Sequence, residues 1–121
     1  EMSFPNGSVI TPNGKTLIVA ETLGLRLTAF DIVASGELIN RREWASTGAR
    51  APDGICMNAD GNIWIANAVS NECVLFAEGG EALEESIAPV NSTVCEASIV
   101  SAGRNGKIEM LKVASPGAGR P

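Results

Sequence analysis

A chain of 121 residues, 45% hydrophobic and 19% charged, has the composition of one globular domain with a modest core. Its net charge of −5 and pI near 4.6, with Arg41–Arg42 as the adjacent basic pair, argue against a surface that neutralises the phosphates of nucleic acid or of an anionic membrane. Histidine is absent, so proton transfer falls to carboxylates and a metal site to oxygen ligands.

The apolar residues arrive in runs bounded by Gly, Asn, Asp or Pro: SVIT, TLIVAE, LTAFDIV, GICMN, NIWIAN and CVLF. Such short, partly alternating runs predict strands. The first expected strand, 8–11, is joined through Asn13–Gly14 to a second at 16–21; strands at 26–31 and 40–44 follow. Asn-Gly accepts positive φ at both central positions and so predicts a tight hairpin. The pattern then repeats: a strand at 55–58, the turn dipeptide Asp60–Gly61, and a strand at 63–67. Residues 78–86 have helical composition, but Gly79–Gly80 interrupts them and the stretch is too short to nucleate alone, so a turn and an outer strand are expected.

The repeat has a measurable period. Pro5-Asn6-Gly7 followed by Asn13–Gly14 returns as Pro52-Asp53-Gly54 followed by Asp60–Gly61, 47 residues later. TLIVAE falls on IWIAN, and LTAF ending at Phe30 on CVLF ending at Phe76, at an offset of 46. Four-stranded antiparallel units at a period near 45 are the pattern of β-propeller blades. The whole chain, 1–121, then reads as about two and a half blades: 5–45, 52–89 and an incomplete third at 92–113. The third opens on STVCEASIV, read as one inner strand, passes through Gly103 to Gly106 to reach KIEMLKV, and ends in the tail 114–121. So few blades cannot close a ring, so apolar blade faces and self-association are expected.

The first strand of every blade lines the central channel of a propeller, which brings the openings of these strands together. Asn6 and Asp53 stand at equivalent positions there. An amide carbonyl and a carboxylate suit Ca²⁺, with Mg²⁺, Mn²⁺ and Zn²⁺ as alternatives. Each tripeptide taken alone is also an ordinary turn sequence; repetition at one register favours the ligand reading. Glu21 and Asn67, at corresponding ends of the second strands, either line the channel or terminate a strand. Trp44 and Trp64 are read as packing residues rather than a sugar platform, and Glu81, Glu84 and Glu85 as a solvated face. Cys56, Cys73 and Cys95, spaced by 17 and 22 residues, lack zinc-site spacing and read as small buried hydrophobes. No run reaches the roughly 18 apolar residues of a membrane span and the acidic start is unlike a leader, so a cytoplasmic protein is expected.

The segments FPNGSVITPNGKTLIVAETLGLRLTAFDI, NRREWA, APDGICMNADGNIWIANA and GKIEMLKVASPGAGRP resemble, in order and spacing, SMP-30/gluconolactonase/LRE-like proteins. The resemblance implies the C-terminal half of a six-bladed propeller, with one divalent ion held by a Glu in blades preceding Glu1, by the Asn of Pro-Asn-Gly and by the Asp of Pro-Asp-Gly. Here the last two are Asn6 and Asp53. It further implies hydrolysis of a sugar lactone, with Asp53 as ligand and general base and Asn6 as a neutral ligand. The family's arginine and asparagine substrate contacts are expected in those preceding blades, and its additional hairpin strand before GKIE is expected to be missing here. The competing expectation is a non-catalytic binding or scaffold module, or an inactive remnant.

Overall fold

The computed structural model describes residues 1–87 and the backbones of three further strands, 92–95, 98–102 and 108–112. Among the described residues there is no helix, and hence none long and apolar enough to cross a membrane. The first sheet contains β1 (Pro5–Ile10), β2 (Thr16–Glu21), β3 (Arg26–Ile32) and β4 (Leu38–Ser46). The second contains β5 (Pro52–Met57), β6 (Ile63–Asn67), β7 (Glu72–Phe76) and β8 (Ala82–Ile87). Both are antiparallel meanders with strands in chain order. A third sheet has the order β11-β10-β9, with β9 at Ser92–Cys95, β10 at Ser98–Ala102 and β11 at Ile108–Lys112. The innermost strands follow one another in space, β1 against β5 and β5 against β9. The chain is therefore all-β, a partial propeller of two four-stranded blades and a third sheet.

Several local expectations change. STVCEASIV is two strands, not one, because Cys95 of β9 pairs with Ser98 of β10 and the ladder continues back to Ser92 opposite Ser101. The strand expected to be missing before GKIE is thus present as β10. The expected tail at 114–121 lies outside the described residues. At the hairpins, only the glycine takes positive φ, +70° at Gly14 and +83° at Gly61, while Asn13 and Asp60 do not. These are longer loops: Gly14 N–H donates to Thr11 O (2.8 Å) and Thr11 N–H to Thr16 O (2.9 Å). Gly61 N–H donates likewise to Asn58 O (3.1 Å) and Asn58 N–H to Asn62 O (2.9 Å). A glycine in the left-handed region closing a turn of this kind also matches strand twist. Residues 78–86 do form a turn followed by the outer strand β8.

Strand alternation divides the core by face. Ile18, Ala20, Leu27, Ala29 and Trp44 of the first sheet meet Ile55, Ile63, Ile65, Val74 and Phe76 of the second in one buried cluster. The alternate residues of the second sheet, Trp64, Ala66, Cys73 and Leu75, form another cluster on its opposite face, with half-buried Cys56 against it. Both tryptophans are thus packing residues, as expected, Trp64 from its place in the apolar run IWIA. Trp44 and Ala45 are consecutive yet share the first cluster, because the β3–β4 register skips between Leu27 and Thr28 and the bulge turns both side chains inward.

Candidate functional site

The two residues singled out from the repeat sit at the same local distortion in neighbouring blades. In β1, Pro5 pairs with Glu21 and Ser8 with Val19, so one extra residue is accommodated at Asn6–Gly7. In β5, Pro52 pairs with Asn67 and Ile55 with Ile65, which places the same bulge at Asp53–Gly54. Bulges re-aim a side chain out of the regular alternation and concentrate beside functional sites. The predicted strands 8–11 and 55–58 therefore begin earlier, at Pro5 and Pro52, and the Pro-Asn-Gly and Pro-Asp-Gly tripeptides lie inside strands rather than in turns.

The bulges also touch. A Cβ added at Gly7 would lie 2.5 Å from the backbone oxygen of Asp53, 2.8 Å from Ile55 N and 3.0 Å from Gly54 Cα. Gly7 is required because the β5 backbone occupies the space a side chain would need. Asn6 is exposed and Asp53 half-buried. Asn6 Nδ2 donates to Thr22 Oγ1 at 3.4 Å, and the Thr22 hydroxyl donates to Pro52 O at 2.7 Å. The described geometry thus ties Asn6, through one hydroxyl, to the residue before Asp53.

Two oxygen-bearing side chains at adjacent bulges, with their backbones in near contact, fit a hard divalent cation. With Nδ2 engaged by Thr22, Asn6 has Oδ1 left as the atom that a cation would take. Among the described residues no three His, Cys, Asp or Glu side chains gather, so a cation here takes its other oxygens from water, from backbone or from groups beyond these two side chains.

The same end of the first sheet carries a second polar assembly that the sequence left ambiguous. Glu21, fully buried, lies on the face opposite Ile18 and Ala20. Its Oε1 accepts from Thr28 Oγ1 (2.5 Å), Arg26 Nε (3.1 Å) and Arg41 Nη2 (3.0 Å); its Oε2 accepts from Ser3 N–H (2.6 Å) and Arg26 Nη2 (3.3 Å). Burial raises the carboxyl pKa, but hydrogen bonds from Arg26, the Ser3 backbone, Thr28 and Arg41 overcome this and bring it to about 2. Beside it a cavity of about 380 Å³ is lined by Glu1, Arg26, Thr28, Arg41, Arg42 and Glu43.

Asn67 occupies the corresponding place in the second sheet. Its Oδ1 accepts from Ala51 N–H (3.1 Å) and Val69 N–H (3.2 Å), and its Nδ2 donates to Ser70 Oγ (3.0 Å) and Glu72 Oε1 (2.7 Å). Hydrogen bonding from Asn67 holds Glu72 below its ordinary pKa against the upward effect of burial, with Ser70 and Arg50 assisting. Glu21 and Asn67 are therefore closures of the β2–β3 and β6–β7 turns. The signal available for Glu21 was an acid ending an apolar strand five residues before Arg26, its cross-strand partner. The expected solvated face is exposed at Glu81, Glu84 and Glu85, with Glu85 paired to Arg50.

Comparison with known proteins places these features in a larger frame. A family model described as "SMP-30/Gluconolactonase/LRE-like region" matches residues 1–105. A gluconolactonase from Xanthomonas campestris is 28% identical, with a TM-score of 0.72 over 96% of this chain and 39% of its own. Regucalcin from Agrobacterium tumefaciens strain C58, a calcium-binding protein, shares the fold at 18% identity and a TM-score of 0.75, over 98% of this chain and 48% of that one. A luciferin-regenerating enzyme does so at 15% identity and a TM-score of 0.76, over 96% and 47%. The chain spans less than half the length of each of these three structures.

Proposed function

We propose that this chain, which belongs to the SMP-30/gluconolactonase/LRE-like family, supplies two ligands of a divalent-metal site in a propeller that hydrolyses a sugar lactone. The observation that carries this reading is the pair of matching bulges that sets Asn6 and Asp53 side by side on adjacent inner strands. The likeness to a gluconolactonase at 28% identity supports the substrate class. Ca²⁺ is the preferred ion, because an amide oxygen and a carboxylate are hard ligands and histidine is absent.

The ion would supply Lewis acidity to the lactone carbonyl. Asp53 takes a proton from the attacking water; the water oxygen bonds to the carbonyl carbon, the ring C–O bond breaks, and the proton returns to the departing ring oxygen to leave a hydroxy acid. Asn6 stays neutral throughout and contributes position only. Asp53 is half-buried, so the residue borders both solvent and protein, as a base acting on water requires.

The test is calorimetric titration with calcium chloride and a pH-stat lactone assay on the complete propeller carrying these blades, comparing Asp53→Asn with the parent. Calcium affinity should fall by about tenfold or more, since the substitution removes the charge of the pair, and hydrolysis should be lost. Unchanged affinity and turnover would refute the assignment. Calcium binding without lactone turnover in the parent would favour a non-catalytic binding module.

A further inference from the structure

Building on this ligand reading, we infer that Thr22 is the positioning residue of the site: its hydroxyl fixes which atom of the Asn6 amide faces a cation and couples that amide to the neighbouring ligand strand. Thr22 follows β2 directly and is nearly buried, at 8% exposure. Its backbone N–H donates to Phe4 O at 3.0 Å, which anchors it beside the start of β1. Its hydroxyl proton is committed to Pro52 O at 2.7 Å in a buried contact. A hydroxyl has one proton to give, so toward Asn6 the Thr22 oxygen can only accept. The group it receives from Asn6, at 3.4 Å, is therefore the amide nitrogen. The nitrogen is turned to Thr22 and the oxygen is left for the ligand position.

The second blade supplies an internal control. At the residue equivalent to Thr22 stands Ala68, whose N–H makes the equivalent backbone bond, to Ala51 O at 2.8 Å, but which has no hydroxyl. The ligand beside it is Asp53. A carboxylate offers an oxygen whichever way it is rotated, whereas an amide presents an oxygen one way and a repelling N–H₂ the other. A hydroxyl is thus present in the blade whose ligand needs orienting and absent in the blade whose ligand does not. The acceptor of its proton, Pro52 O, belongs to the residue preceding Asp53, so the bond that commits the proton is made to the neighbouring ligand strand.

This predicts a specific pattern in calcium affinity, measured by calorimetric titration with calcium chloride on the full-length propeller, with thermal melts on each variant. Thr22→Val should weaken calcium binding about tenfold, the loss typical of removing a group that orients a ligand. Thr22→Ser, which keeps the hydroxyl, should restore most of it. In an Asn6→Asp background there is no amide to orient, so adding Thr22→Val should change affinity by less than about twofold, although both backgrounds lose the bond to Pro52 and should melt lower. Equal affinity loss in both backgrounds would reduce Thr22 to a purely structural role and overturn the inference. So would undiminished affinity in Thr22→Val while Asp53→Asn is impaired. A parent that binds no calcium would instead overturn the metal-site reading and this inference with it.

Discussion

Replacing Glu21 with Gln should remove most of the acid sensitivity of the first blade. The carboxyl titrates near 2 rather than at its ordinary 4.5. A tenfold change in proton affinity is worth about 1.4 kcal/mol, which bounds the linked stabilisation at about 3.4 kcal/mol. Glu21 is sealed from water, but the arginines covering it are each 36% exposed, so solvent lies one side chain away and screens the cluster. A contribution of about 2 kcal/mol is the better expectation. Because the folded pKa lies below the ordinary value, this stability is fully present above pH 4.5 and disappears as the pH falls toward 2. At neutral pH Glu21→Gln should lower Tm by about 8 °C, taking about 4 °C per kcal/mol for a chain of this size. Between pH 4.5 and 2 the variant and parent curves should converge. The assay is scanning calorimetry across that window. A constant gap between the two curves at every pH would show that the carboxylate charge is not what holds Arg26 and Arg41.

Gly7→Ala should cost about 2–4 kcal/mol in urea unfolding, since the added carbon meets the β5 backbone at 2.5 Å and cores tolerate such overpacking poorly. Gly36→Ala, at φ +83° in open space, should cost only about 1 kcal/mol from backbone strain; equal costs would refute the close approach of β1 to β5. Trp44→Ala should destabilise by about 3–5 kcal/mol, because the Trp44 side chain packs between the two sheets. Unfolding that stayed within about 1 kcal/mol of the parent would mean the sheets are not joined there.

The two complete blades were legible because turn dipeptides and apolar runs are local signals, and their return after 46 and 47 residues converted weak motifs into a register. The same register paired Asn6 with Asp53. The bulges that hold them left no trace beyond a glycine, since a bulge is an event between two strands and becomes visible only when the partners are known. The β9–β10 hairpin was missed because STVCEASIV contains no Gly, Asn, Asp or Pro where one strand yields to the next. The Glu21 cluster was half visible: Arg26 is local, but Arg41 reaches it from 20 residues away and Thr22 meets Pro52 from 30 away. Contacts of that separation depend on how strands stack, which composition does not specify.

The turn closures of the two blades are built at matching positions from opposite chemistry. Glu21 faces Arg26 in the first, while Asn67 faces Glu72 in the second. A chain containing two blades of nearly the same pattern can mispair during folding, one blade's second strand docking on the other's third, since the apolar residues would align almost as well. In that arrangement Glu21 would stand opposite Glu72, a like-charged pair in the place Arg26 now holds, and Arg26 would face an uncharged amide. Like charges set directly opposite each other across a strand pair are destabilising, whereas the difference in apolar packing is small. Divergence between the blades at this one cross-strand pair therefore gives the repeat a sense of order, and each hairpin a means of recognising its own neighbour.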